Sequence, residues 1–112
     1  MDKRRKPASR DELRKQRDEL YAAIEHGELT LQDAVKRMRA IARMTQPEFA
    51  AHRGVSVKAI KEIERGVANP TVATLNRIGE IFGLEVAFVR SDKLRSPRSA
   101  AAEVSAQGES SG

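Results

Sequence analysis

The chain has no cysteine and no tryptophan, and its aromatic residues are three phenylalanines and one tyrosine. Without thiols, disulfide bridges and thiolate metal sites are excluded. The two histidines, His26 and His52, are far apart and have no ligand-like spacing around them, so neither a metal nor a cofactor is expected. With so few rings, a folded core has to be aliphatic. No apolar run approaches the roughly 18 residues that a membrane-spanning helix needs. The basic start is not followed by a hydrophobic stretch, so no secretory leader is expected and the cytoplasm is the expected location. Glycine-rich phosphate loops, zinc-type spacings and nucleophile–base pairs are missing as well. No catalytic residue stands out, and an enzyme is not expected.

Charge is abundant, and its placement matters more than its total. The 112 residues carry a net charge of +5, on a length that suits one small domain with tails. Residues 1–29 hold 8 basic and 7 acidic groups, residues 30–90 hold 10 and 6, and residues 91–112 hold 3 and 3. The excess therefore sits in the middle of the chain, where it would suit a phosphate-binding surface. The run Lys3-Arg4-Arg5-Lys6 reads as part of a solvated, disordered arm over residues 1–10; an arm adding phosphate contacts is the sharper alternative. Residues 91–112 are rich in Ser, Ala and Gly with isolated charges and read as a disordered tail.

Between arm and tail the pattern is helical. Residues 11–27 form a first helix, with Leu13, Leu20, Tyr21 and Ile24 on a narrow stripe and Gly27 as a stop. That stripe suits packing against the chain's own domain better than docking another protein. Leu29–Arg43 is the next, opened by Thr30 and Asp33, with Leu31, Ala34, Val35, Met38, Ile41 and Ala42 on its apolar face. After a turn over Val67–Pro70, Thr71 caps a helix whose inner face is Val72, Leu75, Ile78 and Phe82. Gly79 in mid-helix costs about 1 kcal/mol relative to Ala, which predicts a close helix–helix contact there.

The most informative stretch is Thr45–Gly66, TQPEFAAHRGVSVKAIKEIERG. Thr45 with Glu48 makes a capping box, Pro47 falls in the first turn where a missing N–H costs little, and Gly54 can end the helix at positive φ. Ser56 then caps a second short helix. At about 100° per residue, Val57, Lys58, Lys61, Glu62 and Arg65 share one arc, with Ala59, Ile60 and Ile63 behind. An α-helix fits the DNA major groove, where Lys suits guanine, Glu can accept from cytosine and a small apolar group can touch a thymine methyl. An ordinary solvent-facing helix also shows charges, and the helix alone does not choose between the two.

The flanks extend the match. Arg39, Thr45-Gln46, Phe49-Ala50, Gly54-Val55-Ser56, Ile60, Ile63-Glu64, Gly66, Asn69-Pro70-Thr71 and Leu75 resemble the lambda-repressor/Cro-like helix-turn-helix family, also called the Xre type, over residues 29–84. The resemblance implies an all-α, five-helix DNA-binding domain, here with an extra N-terminal helix. It implies that Gln46 touches a phosphate or base edge, that Val57, Lys58 and Glu62 face bases, and that Lys61 and Arg65 lie nearer the backbone. It further implies an internal ion pair between Arg39 and Glu64. Arg43, Thr45 and Ser56 complete the expected DNA-binding set. The pair Lys61-Glu62 departs from the family, whose members often carry amides, serine or arginine there, and Glu62 would repel phosphate.

Residues 84–90 change period. Leu84, Val86 and Phe88 alternate with Glu85, Ala87 and Val89, which is strand-like. A lone strand in a helical domain has unmet backbone groups, so pairing with the same strand of a second molecule is expected, through Leu84, Val86, Ala87, Phe88 and Val89. Folding back on its own domain is the alternative. A strand in this place resembles the HipB-type branch, the antitoxin and autorepressor members. The leading expectation is a homodimeric, sequence-specific, nucleoid-associated regulator, a repressor binding double-stranded DNA at a pseudo-palindromic operator. Two others stay open: an antitoxin that also neutralises a toxin, and a protein–protein adaptor that uses the fold without reading bases.

Overall fold

The computed structural model describes residues 9–95. They form five α-helices: α1 (Arg10–Glu25), α2 (Leu31–Ala42), α3 (Gln46–Arg53), α4 (Val57–Glu64) and α5 (Val72–Gly79). A Ser or Thr hydroxyl opens every one. Ser9, Thr30, Thr45, Ser56 and Thr71 each accept from a backbone N–H three residues on, answering one of the donors a helix start leaves unpaired. Glycine ends α3: Gly54 sits at φ 70°, in the left-handed region that side chains disfavour. The corresponding position after α2 is Arg43, at φ 59°, a conformation costing a non-glycine residue about 1 kcal/mol.

α2 occupies the centre and packs against α1, α3, α4 and α5. The core is aliphatic with two rings: Leu20, Val35, Phe49, Ile60, Ile78 and Phe82 are all buried. Leu20 is completely enclosed, so the apolar stripe of α1 is spent on the chain's own domain. Tyr21 adds a polar latch, its hydroxyl donating to the Phe82 carbonyl at 2.8 Å. The Arg17 guanidinium lies 6.0 Å above the Phe82 ring, at the outer reach of a cation–π contact.

Several expectations need correction. Among the described residues there are five α-helices including α1, not five plus an extra one. The segment expected as the domain supplies four, because α5 tightens into one 3-10 turn (Glu80–Phe82) and then reverses at Gly83. Leu31 and Val72, expected on inner faces, are 50% and 57% exposed. Each is the first residue of its helix, where the side chain leans back over the turn before the helix and away from the core. Gly79 does make a close approach, but not to a helix: a Cβ there would lie 2.7 Å from the Leu84 carbonyl oxygen. The first helix starts at Arg10, one residue inside the expected arm, because Ser9 caps it.

Past Gly83, residues 84–90 carry neither helix, turn nor bend, and no strand pairing is present among the described residues. One 3-10 turn follows (Ser91–Lys93), and the Arg95 N–H donates to the Gly27 carbonyl. The chain thus returns to the α1–α2 turn, where the Lys93 carbonyl occupies the space a Gly27 side chain would need. Residues 91–95, expected to open a disordered tail, are exposed and hold the 3-10 turn and the Arg95–Gly27 bond. The rest of that tail (96–112) and most of the basic arm (1–8) lie outside the described residues.

Candidate nucleic-acid interface

The α3–α4 pair is held by a polar knot at its open end. Glu64, the last residue of α4 and only 6% exposed, accepts from Arg39 Nε at 2.7 Å and from Arg39 Nη2 at 2.9 Å. This two-pronged geometry is the strong form of an ion pair. The same carboxylate accepts from Gln46 Nε2 at 3.0 Å, and Arg39 Nη1 donates to the Met44 carbonyl at 3.2 Å. One carboxylate therefore ties α2, the start of α3 and the end of α4 together.

Two opposed effects set its acidity. Burial pushes the Glu64 carboxyl up, while the Arg39 and Gln46 hydrogen bonds and the charges of Arg39 and Lys36 together pull it below the ordinary 4.5. On the partner, the hydrogen bond to Glu64 raises the Arg39 guanidinium against the opposite pull of burial. The pair stays charged at neutral pH.

A second clamp fixes the far end of α3. Arg53 Nε donates to the Arg77 carbonyl at 3.1 Å, and Arg77 Nη1 donates to the Gly54 carbonyl at 3.0 Å. Arg53 also meets Glu80 at 3.3 Å. The Arg77–Gly54 bond satisfies an orphan carbonyl at the end of α3 and anchors the turn to α5. Nothing in the sequence pattern pointed to Arg53 or Arg77.

These anchors set what α4 shows to solvent. Ile60 and Ile63 are buried behind, while Lys58, Lys61 and Arg65 stand exposed in front. Val57 is half-buried against the core edge. Glu62 is half-buried too, with its carboxylate 3.9 Å from Lys58 Nζ; that is the outer limit of an ion pair, with the basic residue first in the less favourable order. Thr45 and Ser56 are exposed, and both hydroxyls accept capping bonds.

Gln46, expected to touch a phosphate or base edge, has an internal partner in the unbound chain. Its amide nitrogen is engaged by Glu64, so the side chain belongs to the polar knot before it meets any partner. The same bond sets the start of α3 beside the last turn of α4, next to Lys61 and Arg65. Arg43 lies half-buried one residue before Met44, whose carbonyl Arg39 holds. Leu84, Val86, Ala87, Phe88 and Val89 belong to the segment after α5.

Two short capped helices joined by a glycine turn, one with a buried aliphatic back and a basic front, form a unit that can lie in a DNA groove. Residues 35–89 match a helix-turn-helix family model. The match supports that family and, with it, DNA binding. Its limits enclose most of α2, the helix-turn-helix pair α3–α4, α5 and the segment through Val89. No curated protein and no solved structure matches the chain significantly. Among the described residues no helix is long and apolar enough to cross a membrane.

Proposed function

We propose that the chain is a homodimeric, sequence-specific DNA-binding regulator, acting as a repressor at its own or a neighbouring promoter. The observation that carries this reading is α4: its aliphatic side is locked into the core while Lys58, Lys61 and Arg65 face water with no structural task apart from the loose Lys58–Glu62 pair. Two such helices enter successive major grooves about 34 Å apart on a pseudo-palindromic site. Lys61 and Arg65 reach phosphates, helped by Arg43, Thr45, Ser56 and the backbone N–H groups at the helix starts. Val57, Lys58 and Glu62 face base edges. Gln46, pinned by Glu64, presents its amide oxygen as an acceptor.

Selection of bound sites from random duplex DNA tests the reading. A defined, roughly symmetric motif is expected, and no motif would favour a protein–protein adaptor. On that motif, Lys58→Ala should cost roughly 1–3 kcal/mol and relax one base position, as competition binding would show; an equal loss on every sequence would reduce Lys58 to a phosphate contact. The antitoxin reading loses one of its supports, because α1 uses its apolar stripe internally and offers no docking face there.

A further inference from the structure

α2 carries a polar stripe that packing alone does not require. Gln32, Lys36 and Arg39 stand four and three residues apart, so at about 100° per residue they share one narrow arc. That arc points away from Ala34, Val35, Met38 and Ile41, the buried side of the helix. Both ends of the stripe meet the end of α4. Arg39 holds Glu64 in its two-pronged pair. Gln32 lies over Gly66, where an added Cβ would sit 2.6 Å from the Gln32 Oε1. Lys36 stands between them, near enough for its charge to help hold the Glu64 carboxyl below its ordinary range.

Lys36 has no structural task at this place. The Glu64 charge is already matched by Arg39, and the Gln46 amide supplies a third donor. Lys36 is exposed and makes no hydrogen bond or ion pair among the described residues, not even with Asp33 three places earlier. Lys61 and Arg65 stand exposed at the same end of α4. The basic front of α4 therefore continues across the Arg39–Glu64 pair onto α2.

The DNA major groove is about 12 Å wide, and an α-helix with its side chains is about 10–12 Å across. One helix fills it. A side chain on a second helix, packed against the end of the first, then lies over the rim of the groove, where the phosphates run. Lysine suits that place, since its ammonium meets phosphate as a point charge on a flexible stem. We infer that Lys36 is a further DNA-binding residue, neutralising one backbone phosphate at the rim of the groove that α4 enters. This rests on the DNA-binding reading above and extends its surface from α3 and α4 onto α2. Such a contact fixes position and is blind to sequence. It adds the same affinity to a cognate duplex and to an unrelated one.

Fluorescence anisotropy on the full chain tests this with two labelled duplexes, the site selected from random DNA and an unrelated one, between about 50 and 200 mM salt. Each phosphate neutralised contributes about 0.9 to the slope of log K against log salt. Lys36→Gln should make that slope shallower by about 0.9 per bound chain and weaken both duplexes alike, roughly five- to tenfold at about 0.1 M salt. Lys36→Arg should keep the native slope. Arg37→Gln removes the same charge from the same helix about 100° further round and should leave the slope unchanged. Thermal melts without DNA should match the native chain, since both side chains are exposed. Duplexes with single neutral methylphosphonates then locate the contact: one position should weaken the native chain and leave Lys36→Gln unaffected. An unchanged slope for Lys36→Gln, or an equal change for Arg37→Gln, would overturn the inference while native DNA binding stands. Weaker binding at the native slope with a lower melt would also overturn it, by making Lys36 a prop for Glu64. A native chain that binds no duplex would overturn the DNA-binding reading as well.

Discussion

The α3–α4 pair and the segment from Leu84 to Arg95 are finished in opposite ways. In the first, both helix starts are capped, one carboxylate joins three helices, and every apolar side chain of α4 except half-buried Val57 and Ala59 is enclosed. In the second, backbone donors on one edge are unpaired and a phenylalanine stands in water. The first region is complete as a monomer and offers a charged surface. The second leaves Phe88 fully exposed and offers an apolar surface. Charge and exposed apolar surface thus lie on different segments of one small domain.

Substitutions should divide along that line. The largest effect is expected from Phe49→Ala, which empties the best-enclosed position of α3 and should cost about 3–5 kcal/mol of stability by chemical denaturation. Glu64→Ala follows, at about 3 kcal/mol, because it removes the acceptor shared by Arg39 Nε, Arg39 Nη2 and the Gln46 amide and leaves Arg39 only its bond to the Met44 carbonyl. The same carboxylate makes the fold acid-sensitive. Its pKa is lower folded than unfolded, so its contribution is fully present above the ordinary glutamate value of 4.5 and is lost as pH falls through the depressed folded value. Denaturation at stepped pH should show that loss in the native chain and not in Glu64→Gln. Thr45→Ala removes one capping acceptor and should cost about 1 kcal/mol, read as a shift in the melting temperature. Phe88→Ala is the smallest. In dilute monomer it should change stability by less than about 0.5 kcal/mol, and a larger loss would mean the ring packs within its own chain.

The sequence was most readable where local rules act within four residues. Thr45 with Glu48, Gly54 and Ser56 mark the ends of α3 and the start of α4 because caps and left-handed turns need particular residue types at fixed offsets. Periodicity then gave the buried side of α4. It misplaced Leu31 and Val72, since a helical repeat does not register that a first-turn side chain leans off the end of the helix. Gly79 was legible as a close approach but not as an approach by Leu84, which depends on how sharply the chain reverses at Gly83. Arg53 and Arg77 were invisible for a different reason. Their bonds go to backbone carbonyls 23 and 24 residues away, and such bonds ask nothing of the residue type at the far end. The Gln46–Glu64 bond was not legible because the carboxylate lies 18 residues further along the chain.

The Tyr21 hydroxyl on the Phe82 carbonyl has a practical corollary. In a chain with a single tyrosine and no tryptophan, the intrinsic emission excited beyond the phenylalanine band comes from that one phenol, at the seam between α1 and the end of α5. Its spectrum reports the detachment of α1 and is nearly blind to α4. A fluorescence trace and a far-ultraviolet trace that diverge during unfolding would time the release of the first helix against the loss of the rest.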